Sequence, residues 1–262
     1  MPHSPFELIN PDGDPDILLL CDHASNALPD AYGTLGLAAT EFHRHIAYDI
    51  GTGPLVRDLA ARLGCPAVLG TCSRLLVDLN RGADDPTIVM KLSDGSVIPD
   101  NADVDPFRNA EEFERRITLY HQPYHDAVSR QIDRARDLGR VPVVISVHSF
   151  TPVWRGVARP WEVGVLWDKD DRIARPMIAA FEAQGFVVGD NLPYIGFLKN
   201  DTLFRHGTVS GIPHVLLEIR QDLIDTEADR EVWAARLQHL LPPLVTREGV
   251  HEIRHFGSRT DR

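Results

Sequence analysis

Four short segments set chemically capable side chains beside or within runs of apolar residues. Ile17 to Pro29 runs from an apolar stretch directly into Asp22, His23, Ser25 and Asn26. A histidine three residues ahead of an oxygen-bearing side chain can grip a metal from one turn, and imidazole with oxygen ligation suits zinc. Val143 to Phe150 ends an apolar strand in His148 and Ser149. A second imidazole at a strand end is what a catalytic zinc site with three protein ligands and an open position requires. Cys72 to Arg81 sets Arg74, Asp78, Asn80 and Arg81 around a short apolar core. Guanidinium groups bind carboxylates bidentately and Asp78 can orient one of them, so this segment can hold an acidic substrate or polarise an amide carbonyl. His214 to Asp222 places Glu218 at the end of an apolar run. A carboxylate there is unfavourable unless paired or coordinating, and service as general base for a metal-activated water is one reason for it.

Each residue also has a structural explanation. A strand-end histidine can be a satisfied core residue, Asn26 can close an Asx turn, and Glu218 can pair with Arg220. Arg74 and Arg81 can join an ion-pair network with Asp78, Asp84 and Asp85. His121 and His125 lie four apart, but the intervening Gln-Pro-Tyr is not the HExxH pattern, so they read as helix surface or as support behind a site. His206 is a loop histidine and a candidate to line the pocket. Ser149 beside His148 and Cys21 beside Asp22 are not nucleophile–base dyads, because strand neighbours face opposite ways and no GxSxG elbow exists. The glycines at 51, 53, 207 and 211 form no phosphate-cradling motif.

The elements that must carry these residues alternate between strands and helices, the pattern of an α/β domain with a largely parallel sheet. Apolar runs at 17–21, 67–69, 141–147, 162–166, 186–188 and 214–219 predict buried strands. The stripe from Phe113 through Tyr124 to Leu138 predicts one long helix over 110–138, bent or broken at Pro123. Ile46 to Leu63 predicts two helices broken near Pro54. Further helices are expected over 170–184, and after Thr226 with its capping partner Asp229. With 262 residues, 43% hydrophobic and 25% charged, the chain is expected to form a single domain over 1–262. An excursion over 82–105 and a loosely packed tail from 247 complete that expectation. A net charge of −11 argues against a nucleic-acid partner, and no apolar run is long enough to cross a bilayer. Three cysteines without CxxC spacing and no signal-peptide pattern point to the cytoplasm.

The segments CDHASNALP, HIAYDIG, SRLLVDLNRG, SVHSFTP and HVLLEIRQDLI, spread in order over residues 21 to 224, resemble the N-formylglutamate amidohydrolase family. That family is similar in layout to the zinc carboxypeptidases and aspartoacylases. The resemblance implies a single three-layer α/β domain with a mixed, mostly parallel sheet, zinc-carboxypeptidase-like (phosphorylase/hydrolase-like). It implies one divalent metal, zinc by analogy, with His23 and His148 as ligands. The peptidases place a glutamate three residues after the first histidine, where this chain has Asn26; Asn26 or Asp49 is the third ligand, with Asp22 a lesser choice. Glu218 and Arg74 are then catalytic, while Asn80, Arg81 and His206 bind substrate. The implied reaction is hydrolysis of a small acidic N-acyl amino acid by a monomer or homodimer. The alternatives are a zinc peptidase or amidase of another substrate, or an inert carboxylate-binding protein on the same scaffold.

Overall fold

Strands buried on both faces need apolar side chains at successive positions, and β2 (Ile17–Cys21) is buried at every one. The structure, a computed structural model, describes residues 3–261. Its other strands are β1 (Phe6–Ile9), β3 (Ala67–Gly70), β6 (Val143–Phe150), β9 (Val163–Leu166), β10 (Val188–Asp190) and β11 (His214–Arg220). Two small hairpins, β4 (Leu92–Ser93) with β5 (Ser96–Val97) and β7 (Val153–Trp154) with β8 (Val157–Ala158), stand outside the main sheet. That sheet has seven strands in the order β1-β3-β2-β6-β11-β9-β10. The four central strands β3, β2, β6 and β11 run parallel; β9 and β10 oppose them on one side and β1 on the other. The fold is therefore α/β with a mixed, mostly parallel sheet.

Helices cover both faces. Within β2, Leu19 and Cys21 face one core while Leu18 and Leu20 face the other, the period of two that a strand imposes. The first core is closed by α1 (Thr52–Leu63), α4 (Ala174–Glu182) and α5 (Glu227–Val245), through Leu55, Phe181, Trp233 and Leu237. The second is closed by α3 (Gln122–Asp137) and by the Cys72–Leu79 segment. A capping box at Thr226 and Asp229 starts α5, as the sequence predicts.

One expectation about local structure is corrected and two are refined. The stripe over 110–138 forms one helical run, as expected, and its interruption falls just ahead of Pro123: α2 (Ala110–Arg116) passes into a π-type turn over Ile117–His121 before α3 begins. Pro123 carries no N–H for the carbonyl four residues back, and Gln122 N instead reaches Ile117 O, five residues back. Ahead of α1 there is no helix through Ile46, but turns that end at Gly51, whose φ of 86° and close approach to Ile224 O exclude a β-carbon. Pro54 falls in the first turn of α1, where its missing N–H costs nothing. The tail from 247 is mostly exposed but anchored at a few points: Arg172 donates to the carbonyls of Val250 and Glu252, His251 binds Val141 O, and Ser258 is buried. The 82–105 excursion is anchored by buried Asn101, which donates to Leu75 O and Met90 O and accepts from Arg116.

Candidate active site

The carboxyl ends of the parallel strands gather the polar groups, where open α/β sheets bind ligands. His23 follows directly after β2, and His148 lies on β6. Glu218 on β11 is the register partner of His148, and partners on paired strands project to the same face. Gly164 on β9 is the neighbour on the other side of Glu218, and the missing side chain lets the Leu192 carbonyl pack closely there. Asp49 arrives from the turn before α1, its backbone N bonded to His23 O at 3.0 Å. Arg74, Asn80 and Arg81 come from the coiled segment after β3, pinned where Ser73 N meets Ala27 O and Arg74 N meets Ala47 O.

His23, Asp49 and His148 are buried, and one ligand atom from each lies within 4.8 Å of the others. The ring nitrogens divide their work. His23 Nε2 meets Asp78 Oδ1 at 2.7 Å and His148 Nε2 meets Asp22 Oδ2 at 2.9 Å, so each Nε2 carries the hydrogen. Both Nδ1 atoms then face Asp49 Oδ2 as acceptors, at 3.4 Å from His23 and 2.8 Å from His148. Acceptors cannot bond one another, so this convergence needs a shared cation: a divalent metal or, without one, a ring proton. Burial disfavours a charged His148, yet its bonds to Asp22 and Asp49 outweigh burial and hold it protonated well above the usual range. The same pairing works on the carboxylates. Burial opposes ionisation of Asp49 and Asp22, but the two histidines hold both well below the usual carboxylate range. Asp78 is likewise depressed against its burial, chiefly by Arg74 and His23. Two imidazole nitrogens and a carboxylate, each ring oriented from behind by a second carboxylate, fit a divalent ion such as zinc.

Beside this group opens a pocket of about 510 Å³ lined by Arg74, Asn80, Arg81, Asp201 and Glu218 among others. Arg74 is committed to Asp78, at 2.7 Å, and reaches Asp49 at 3.4 Å. Arg81 is only loosely paired, its Nε 3.8 Å from Asp85. Asn80 has its Oδ1 held by Thr202 N at 3.2 Å, leaving the amide NH2 as a donor for the pocket. Glu218 Oε2 is buried without a hydrogen-bond partner among the described residues. Burial pushes its carboxyl up to about 7 against the charge of His148. Arg220 does not pair with it but with Asp222.

Two residues expected at the site stand apart. Asn26 donates its side-chain amide to Phe42 O at 2.7 Å and does not line the pocket. His206 is buried behind the pocket wall, bonded to His125 at 2.9 Å. The sequence reading missed Thr202 and Ser146, which donate to Asp22, and Trp154, Tyr194 and Asp201 in the pocket wall. Asp201 is pushed up to about 7 by burial. No local pattern marks these residues; they lie on strands or loops whose approach to the site is set by the sheet.

Fold and site together define an α/β protein with a buried His-Asp-His group and an unpaired glutamate at its strand ends. The chain belongs to the N-formylglutamate amidohydrolase family, whose model matches residues 16–225. It is similar to the crystal structure of a gene product from Agrobacterium tumefaciens, with 35% identity and a TM-score of 0.87 over 93% of this chain and 95% of that one. It also shares its fold with an N-formylglutamate amidohydrolase from Ralstonia eutropha JMP134, at 17% identity and a TM-score of 0.66 over 93% and 97% of the two chains. No curated protein sequence matches.

Proposed function

We propose that the protein is a metal-dependent amidohydrolase that removes the acyl group from N-formylglutamate or a related acidic N-acyl amino acid. The observation that carries this reading is Glu218: a buried carboxylate with an unpartnered oxygen, facing a pocket beside three converging acceptors. A structural ion pair would have left it a partner. His23, Asp49 and His148 would hold the ion, and their donor set suits zinc. Once bound there, a divalent ion supplies Lewis acidity to water and to the acyl carbonyl. Glu218 takes a proton from the attacking water as the water oxygen bonds to the acyl carbon. The carbon–nitrogen bond then breaks, and Glu218 passes the proton to the leaving nitrogen, giving a carboxylic acid and a free amine. Arg74 stabilises the developing oxyanion, and Arg81 with Asn80 holds a substrate carboxylate. Three buried cysteines without a disulfide are in keeping with a reducing cytoplasm as its place of action. Among the described residues no helix is long and apolar enough to cross a membrane.

Calorimetric zinc titration of chelator-stripped protein, paired with a panel of N-acyl amino acids and their uncharged amides, tests this reading. Stoichiometric zinc and turnover that requires a free carboxylate are expected. Equal turnover of uncharged amides removes the role of Arg81; stoichiometric zinc without turnover of any substrate leaves a carboxylate-binding protein. One observation favours a second reading of the acyl group: Ile46, Met90, Trp154, Leu166, Leu203 and Leu216 give the pocket an apolar wall. An amidase acting on larger acyl groups would turn over N-acetyl or longer N-acyl substrates faster than the formyl compound.

A further inference from the structure

Behind the pocket lies a cluster of buried histidines, His121, His125 and His206, that the proposed reaction does not use. We propose that His125, supported by His206 and flanked by His121, is a positioning residue that fixes the Asn80–Arg81 turn in its substrate-holding conformation. This inference rests on the reading of Asn80 and Arg81 as the carboxylate grip.

The grip sits on a turn and not on a strand, so its backbone must find bonding partners outside the sheet. His125 Nε2 lies 3.0 Å from Leu79 O, and His121 Nε2 lies 2.9 Å from Arg81 O. The two rings thus clasp the carbonyls on either side of Asn80. A carbonyl only accepts, so both Nε2 atoms carry hydrogen. His125 Nδ1 is then an acceptor, and His206 Nε2, 2.9 Å away, must be its donor. The His125 and His206 rings lie within 24° of one plane, which suits that in-plane bond. One competitor for Leu79 O exists. Thr202 Oγ1 stands 3.2 Å from that carbonyl but 2.6 Å from Asp22 Oδ1, and its single hydrogen goes to the carboxylate. His125 is therefore the donor that satisfies Leu79 O.

The two Nε2 atoms approach each other to 3.2 Å with both hydrogens already committed, an arrangement best tolerated by neutral rings, which carry no mutual charge repulsion. Burial supplies that condition by pushing His121 and His125 below the usual histidine range. Backbone geometry supports the same placement. His121 lies on the π-type turn before Pro123, and His206 lies on a second π-type turn over Phe204–Thr208. With both Nε2 atoms of the clasp committed to carbonyls, the cluster is not a metal site; the ligand group found among the described residues is His23, Asp49 and His148.

The test compares His125→Leu, which removes the donor, with His125→Gln, which keeps an N–H able to reach Leu79 O. Steady-state kinetics on a carboxylate-bearing N-acyl amino acid, zinc titration, and amide exchange of residues 79–82 are read on each. The expected result for His125→Leu is a rise in KM of about tenfold or more with kcat within about twofold. Zinc stoichiometry stays unchanged, exchange accelerates at 79–82 alone, and His125→Gln restores much of the KM. A KM within about twofold of wild type, or a glutamine variant as impaired as the leucine one, overturns the proposal. If His125→Leu does not fold, His206→Leu, which strips the donor from His125 Nδ1, is expected to raise KM in the same way, and an unchanged KM there overturns the proposal. If wild type hydrolyses no carboxylate-bearing amide, the functional reading fails separately, and amide exchange at 79–82 then judges the clasp without substrate: unchanged exchange overturns it.

Discussion

Asp22 and Asp78 bind no substrate in the proposed reaction, yet they decide what the two site histidines can do. By accepting from Nε2 they leave Nδ1 of His148 and of His23 as lone pairs aimed at Asp49. Replacing Asp78 by Asn is expected to weaken zinc binding by about tenfold to a hundredfold without abolishing it. His23→Ala, His148→Ala and Asp49→Asn are expected to lose stoichiometric zinc, whereas Asn26→Ala keeps it; calorimetry on stripped protein separates the two outcomes. Loss of zinc in Asn26→Ala with retention in Asp49→Asn would reverse the third-ligand assignment. Glu218→Gln should retain zinc while turnover falls by about a thousandfold, and normal turnover in that variant would end its role as base. These residues were unequally legible. His23, His148 and Glu218 announce themselves because an apolar run gives each an address at the carboxyl end of a strand. Asp49 gives no such signal: it meets His23 across a turn whose path depends on Gly51 and Ile224.

Elements place these side chains through close backbone approaches that periodicity cannot foretell. Periodicity located the central strands within a few residues, since burial on both faces demands an unbroken apolar run. It did not show the π-type turn before Pro123, because widening a helix by one residue per turn rotates His121 and His125 without altering composition. Nor did it show the docking of the tail, whose bonds go from side chains such as Arg172 to main-chain carbonyls. Gly164 is the sharpest case. A β-carbon there would stand 2.4 Å from Leu192 O and 3.2 Å from Glu218 Cβ, and the backbone oxygen has little freedom to yield. Gly164→Ala is therefore expected to destabilise the fold by about 1–3 kcal/mol in urea unfolding. It should also raise KM, because Leu192 leads directly into the pocket residues Tyr194 and Ile195. Wild-type stability and kinetics in that variant would show that the strand tolerates a side chain over Glu218.

Across the whole molecule, buried groups of opposite sign titrate in one pH window, and net charge alone does not reveal their balance. Burial and the Arg205 charge lower His206 to about 4, against the attraction of Asp22 and Asp126. Between that value and the unfolded value of about 6.5, the unfolded chain binds a proton that the folded chain refuses. The contribution of His206 to stability is thus complete above pH of about 6.5 and lost as pH falls toward 4. Asp201 and Glu218 work the other way. Both are raised by burial to about 7, so the folded chain keeps protons that the unfolded chain releases, and their contribution is lost as pH rises through 7. A wild-type profile of metal-stripped protein sums these opposed slopes and can look flat. The difference between wild type and His206→Gln isolates the histidine, because glutamine still donates to His125 Nδ1 but does not titrate. Urea unfolding of both proteins from neutral pH downward is expected to show wild type losing up to about 3 kcal/mol relative to the variant as pH approaches 4. Parallel profiles would mean that His206 is open to water when folded and that burial does not keep the rings of the cluster neutral.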